Sequence, residues 1–281
     1  LYQQALAVAK QQPGKRGAAL ADLARVAINT GNYAQARRYN TEALAMKREA
    51  KDEEGVLRSR IVDAKIDSHL KRYDQARSAL ESVLAEAKLK TIQWRAHAAL
   101  AQVEVEEKHA QGAERHFREG LEILGDLRGD IQSDEHRLAF GHIAAELYEG
   151  YVDFLVTQGR SRDALRIAEL SHARTLAEGL NVDRDRGDTF DPEGIARTAG
   201  ATVLSYWLAP NRFCLVVASA DGVKHVVRPP EKEVTADVDV YQKELLSGRA
   251  SLQSSRRGVE LYKMLIAPAA AAIRGTRIAV I

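Results

Sequence analysis

The sequence predicts an α-solenoid of helical hairpins followed by the incomplete start of an α/β domain. Three observations predict it. Pro13 stands alone in the first 191 residues, and the other five of the 6 prolines fall between Pro192 and Pro268. The long proline-free stretches are rich in Ala, Leu, Glu, Arg and Gln, side chains that lose little rotamer freedom in a helix. A short segment recurs along that helical part, and beyond residue 200 the pattern switches to apolar, β-branched runs such as Thr202-Val203-Leu204-Ser205-Tyr206-Trp207-Leu208. With 281 residues there is room for two domains. The expected division is a repeat array over 1–180, a linker over 181–194 and an α/β portion over 195–281. The linker rests on the polar, aperiodic Asn181-Val182-Asp183-Arg184-Asp185-Arg186-Gly187-Asp188-Thr189.

The recurring segment is Gly31-Asn32-Tyr33-Ala34-Gln35-Ala36, matched by Lys71-Arg72-Tyr73-Asp74-Gln75-Ala76. Weaker copies are Lys108-His109-Ala110-Gln111-Gly112-Ala113 and Gly159-Arg160-Ser161-Arg162-Asp163-Ala164. The aligned alanines, Ala36, Ala76, Ala113 and Ala164, are separated by 40, 37 and 51 positions. The physical reading is a stack of helical hairpins. A small alanine lets paired helices approach, the residues before it make the turn, and Tyr33 and Tyr73 wedge between neighbours. Each hairpin buries only part of its apolar face, so the next must complete the core. This pattern resembles tetratricopeptide (TPR) repeats over roughly residues 1–124, and in altered form to 180. Its spacings exceed the usual period of about 34 residues, and Ala110 stands where the third aromatic is expected. In this register Leu1 enters within the second helix of a hairpin, and Ile281 closes an apolar run, so the chain reads as a piece of a longer one.

After the linker, Asp191-Pro192-Glu193 is a helix start, with Asp as N-cap and Pro at the first helical position. That helix should end at Gly200. Strands come next over about 202–208, 212–219 and 223–227, the last two joined by the Asp221-Gly222 turn. Pro229-Pro230 stops pairing, helical patterns occupy about 231–247 and 255–266, and 277–281 reads as a buried strand. A meander, then helices, then a buried strand implies a layer whose parallel core has begun.

Within this region Ala168, Glu169, Ser171, Ala173, Arg174 and Leu176 lie on one helix, followed by the Leu204-Ser205-Tyr206 strand and Asp221-Gly222-Val223. The helix Leu261-Tyr262 with Leu265-Ile266-Ala267-Pro268 and the terminal apolar strand complete the order. Residues 139–281 in this order resemble the opening of a CHAT domain, the caspase-like peptidase domain that commonly follows TPR arrays. The resemblance implies a protein-interaction array attached to a cysteine peptidase domain whose catalytic histidine and cysteine lie beyond Ile281. The alternative it leaves is a scaffold with a degenerate CHAT-like domain.

Composition narrows the function classes. One cysteine excludes an intrachain disulfide framework and a Cys-based zinc site. A formal net charge of +2 gives no electrostatic reason to expect nucleic acid. No apolar run approaches membrane-spanning length and no secretory segment opens the chain, so a cytoplasmic protein without membrane contact is expected. No His-Glu-x-x-His spacing and no phosphate-binding glycine motif occurs, so neither a metal nor a cofactor is expected. Cys214, flanked by apolar residues on a strand, reads as a packed thiol with His225 on the strand across the hairpin, near but not paired for chemistry. No catalytic residue is assigned. The candidate site is the groove along the first helix of each hairpin, where the repeat register places Arg25 and Asn29, then Arg58, Lys65 and His69, then Arg95 and Gln102. Glu146, Glu149 and Asp153 come after them, so a basic groove grading to an acidic end would hold an extended peptide or an acidic protein segment.

Overall fold

The computed structural model describes residues 13–129, 134–179, 191–209, 212–228, 234–247 and 256–280. The chain forms two compact units, Leu1–Gly150 and Tyr151–Ile281. It is mostly helical, with a small mixed sheet towards the C-terminus.

The first unit carries α1 (Pro13–Asn29), α2 (Tyr33–Glu49), α3 (Glu53–His69), α4 (Tyr73–Glu86), α5 (Lys90–Glu106), α6 (Ala110–Gly129) and the start of α7 (Asp134–Thr157). Sequence neighbours pack: α1 on α2, α3 on α4, α5 on α6, with α2 on α3 and α4 on α5 joining the pairs. In addition α1 touches α3 and α3 touches α5, so the first helices of successive pairs lie side by side.

One turn geometry makes every pair. Gly31, Lys71 and Lys108 adopt left-handed backbone, with φ of 74°, 62° and 65°. The N–H of each donates to the carbonyl three residues back, on Ile28, Ser68 and Val105. The next N–H along, of Asn32, Arg72 and His109, donates five residues back, to Ala27, Asp67 and Glu104. This closure satisfies carbonyls that the end of the helix leaves without partners. Gly159, with φ 74°, repeats it between α7 and α8 (Ser161–Gly179), with bonds to Val156 and from Arg160 to Leu155. Five positions after each of these four residues comes an aligned alanine, and Ala36, Ala76, Ala113 and Ala164 are all fully buried; Lys51 (φ 54°) makes the same turn between α2 and α3, with Val56 in the alanine's place. The sequence register is therefore a register of turns, each followed by a methyl group at the closest helix–helix approach.

Neighbouring pairs share their core. Ile61 and Ala64 of α3, Leu80 and Val83 of α4, and Ile92, Leu100 and Val103 of α5 form one cluster, with Tyr73 packed against it. Tyr33 packs with Ala27, Ala36 and Ile66, spanning α1 to α3. Both tyrosines thus act as the wedges expected of them. A polar tie reinforces the seam of α4 and α5: Arg77 Nε donates to Glu104 at 3.0 Å, His109 Nδ1 lies 3.1 Å from the same carboxylate, and Arg77 also pairs with Glu107. Burial pushes the Glu104 carboxyl up, but Arg77 and His109 outweigh it and hold its pKa below the ordinary glutamate value.

The second unit continues with α8, α9 (Pro192–Ala199), β1 (Ala201–Ala209), β2 (Arg212–Ser219), β3 (Gly222–Arg228), α10 (Val234–Leu246), α11 (Arg256–Leu265), a 3-10 turn at Ala267–Ala269, α12 (Ala270–Ile273) and β4 (Arg277–Val280). The sheet order is β3-β2-β1-β4, with β1–β2 and β2–β3 antiparallel and β4 parallel to β1. The predicted meander and late parallel strand are both present. Leu204, Phe213, Leu215 and Val217 pack on one face against Leu265, Ile266 and Ala269. The pleat sends the buried Cys214, Val216 and Ala218 to the opposite face. There α8 contributes Ser161, whose hydroxyl lies 2.5 Å from His225 Nδ1. Asp191 caps α9 by accepting from the Gly194 N–H at 3.0 Å, and left-handed Gly200 (φ 57°) ends it.

The linker bound needs correction here, in favour of the helix start predicted at Asp191-Pro192-Glu193, and one stretch is not anticipated by the sequence. The predicted linker over 181–194 falls outside the described residues as far as 190, but its last part is helix: Pro192, Glu193 and Gly194 form the first turn of α9, because the Asp191 cap and Pro192 start it there. The sequence also offers no sign of the 3-10 turn and α12, since Pro268 breaks the helical period that would reveal them.

Two measurements probe this frame. Lys71 and Lys108 are strained in left-handed backbone that Gly31 and Gly159 adopt freely, so Lys108→Gly should stabilise the chain by about 1 kcal/mol in urea unfolding. Arg77→Met strands a buried carboxylate and should cost about 3 kcal/mol at neutral pH. Because the folded pKa of Glu104 lies below its unfolded one, that stabilisation is complete above the ordinary glutamate range. It disappears as pH falls through the lowered folded value, so the wild type and variant should converge in acid.

Candidate functional site

The side-by-side first helices bring most of the predicted groove residues to one place. Arg58 Nη1 pairs with Glu54 at 2.6 Å one turn back on α3, and Arg25 Nη2 with Asp22 at 2.5 Å on α1. Lys65 reaches across to Glu146 of α7 and pairs with it. Arg95 rests its guanidinium 4.7 Å from the centre of the Trp94 ring, within cation–π range. The fields of these groups overlap. Arg95 is pushed down by burial, and it also feels Glu146, Arg58, Arg25 and Glu54. Glu146 is held below the usual glutamate value by Lys65 first, against burial, and then by Arg95 and Arg25. Cations from α1, α3 and α5 therefore converge on one carboxylate from α7.

The surface is wet. The Glu146 side chain keeps 62% of its exposure, so its pair with Lys65 faces solvent. Glu149, one turn along by the i, i+3 spacing, is raised by burial and by repulsion from Glu146, so it gives up charge more readily than its neighbour.

Not every expected residue joins this cluster. Asn29 and Gln102 are exposed on α1 and α5, one and two turns beyond Arg25 and Arg95. His69 is turned to the hairpin end: its ring stacks on Tyr33 at 5.1 Å, and Nδ1 lies 3.8 Å from Glu106. Asp153 is half-buried on α7 and belongs to the second unit. The expected grading from basic to acidic is also corrected, because Glu146 sits within the basic set, paired with Lys65, rather than beyond it. The cause is tertiary: α7 returns to the row of first helices.

In the second unit, Cys214 is 2% exposed at the middle of the sheet and pairs across strands with Trp207 and Val227. His225 pairs with Val216 and directs Nδ1 to Ser161, not to the thiol. A buried thiol among apolar neighbours lacks the exposed, electropositive setting that favours thiolate.

Sequence spacing missed one constellation. His97 of α5 comes together with His116 and Glu119 of α6. His116 and Glu119 stand at i, i+3 on one helical face, which is legible, but the partner lies 19 positions earlier on another helix. Only the hairpin closes that gap.

No protein-family model and no curated protein matches the chain. Among solved structures, the crystal structure of BtubC (BKLC) from P. vanneervenii is similar at 21% identity over 70% of this chain and 75% of that one, with a TM-score of 0.42. Among the described residues, no helix is long and apolar enough to cross a membrane.

Iodoacetamide should leave Cys214 unmodified in the native protein and label it fully in denaturant, read by mass spectrometry. Rapid native labelling that depends on His225 would show a reactive pair instead.

Proposed function

We propose that this chain captures an acidic peptide segment of a protein partner along the first helices of a TPR-like solenoid. The same reading makes the second unit a CHAT-type α/β layer, with any cysteine peptidase chemistry of that family carried by residues other than Cys214. The observation that supports it is the convergence of Arg25, Lys65 and Arg95 from three successive first helices on a single carboxylate, with Arg58 close enough to Arg95 to add to the same field. A side-chain carboxylate in that position, Glu146, marks what the surface recognises. An incoming Asp or Glu would take over Lys65 in its place, and the guanidiniums would add charge-assisted, directional hydrogen bonds. Interleaved Glu54, Glu146 and Glu149 make the surface unsuited to a polyphosphate backbone, which favours a peptide over nucleic acid. The burial of Cys214 favours a binding role for the residues in hand over a catalytic one, which is the scaffold form of the same reading.

The test is fluorescence anisotropy with a labelled Glu-rich peptide and its Gln counterpart. Arg58→Glu with Lys65→Glu should weaken the acidic peptide by about tenfold or more with an unchanged circular dichroism spectrum. Glu146→Gln, which releases Lys65, should strengthen it. Equal affinity for the Gln peptide, or indifference to the double reversal, would remove the proposal.

A further inference from the structure

We propose that His97, His116 and Glu119 form a site for one divalent transition-metal ion of the zinc class at the seam of α5 and α6. The three ligand atoms make a nearly equilateral triangle. His97 Nδ1 lies 3.2 Å from His116 Nδ1 and 3.1 Å from Glu119 Oε2, and His116 Nδ1 lies 3.0 Å from Glu119 Oε2. Tetrahedral coordination at zinc–nitrogen and zinc–oxygen bond lengths of about 2.0–2.1 Å sets neighbouring ligand atoms about 3.3 Å apart. The triangle is thus one face of such a tetrahedron, with the ion centred to one side of it.

Hydrogen bonding alone does not satisfy this arrangement. A neutral imidazole carries one N–H. If both Nδ1 atoms carry protons, the two donors confront each other at 3.2 Å. If one does, its proton can be shared by the other two atoms, but those two acceptors still face each other lone pair to lone pair. A cation satisfies all three lone pairs together.

The backbone builds the site. His116 and Glu119 share a face of α6, three residues apart, and His97 meets both from α5. The imidazoles are largely buried, with side-chain exposures of 15% and 12%, while Glu119 keeps 41%, leaving the remaining coordination position on the water side. Two imidazoles and one carboxylate suit zinc rather than magnesium or calcium, which prefer all-oxygen shells. Arg115 Nη2 lies 3.4 Å from His116 Nε2, a long contact. Metal on Nδ1 places the proton on Nε2, so this exposed guanidinium turns out to solvent.

The experiment is calorimetric titration of the metal-stripped full chain with Zn(II), with Mg(II) as control, alongside the visible absorption of Co(II) as a reporter of tetrahedral geometry. One equivalent of Zn(II), a thermal midpoint raised by Zn(II) and not by Mg(II), and tetrahedral Co(II) bands are expected. Glu119→Gln and His116→Gln should each weaken binding at least about tenfold, while His69→Gln, at a different histidine–glutamate pair, leaves it unchanged. Glu119 is exposed enough that its variant keeps the test valid if His116→Gln does not fold. Absence of saturable Zn(II) binding by the folded chain, or undiminished affinity in Glu119→Gln, overturns the site.

Discussion

A single residue in left-handed backbone opens each helical pair's turn in the first unit, and the packing of the helices and the chemistry of their surface both depend on it. At Gly31, Lys71 and Lys108 the chain reverses within three residues because two N–H groups reach back to carbonyls the ending helix would otherwise leave open. The reversal fixes which residue of the next helix meets the previous one, and at that position the chain places Ala36, Ala76 and Ala113. Anything larger than a methyl would hold the helices apart and break the shared core of Ile61, Leu80, Ile92 and Leu100.

That geometry sets the chemistry of the surface. Identical turns lay successive first helices side by side, so α1, α3 and α5 present Arg25, Arg58, Lys65 and Arg95 to one space. Like charges gathered in this way repel, and Glu146 from α7 compensates them while remaining open to water. Such a pair contributes little to stability, because solvent screens it and both side chains lose freedom. In the proposed function its consequence is instead for binding, since the compensating carboxylate would be exchanged for a partner's. On the opposite side of α5, two residues along from Arg95, His97 faces α6 and meets His116 and Glu119. One helix thus serves two separate clusters because residues i and i+2 point to nearly opposite sides.

The second unit is ordered by pleat rather than by turns. Alternation along β2 sends Phe213, Leu215 and Val217 towards α11 and the 3-10 turn, and Cys214 and Val216 the other way. The thiol therefore ends in apolar packing, and His225, in register with Val216, is engaged by Ser161.

By itself the sequence determined the turns, the aligned alanines, the Asp191 cap and the β1–β3 meander, because each is local: it depends on residues within a few positions of one another. The repeat register also proposed Arg25, Arg58, Lys65 and Arg95 for one face of α1, α3 and α5, since it carries a residue from one pair to the next. Tertiary structure alone decided the rest. That His69 stacks on Tyr33 instead of joining the other cations, that Glu146 sits among them, and that His97 meets His116 and Glu119 all depend on how separate helices rotate against one another. Helix rotation is set by the summed packing of the whole interface, and no short window of sequence contains that sum.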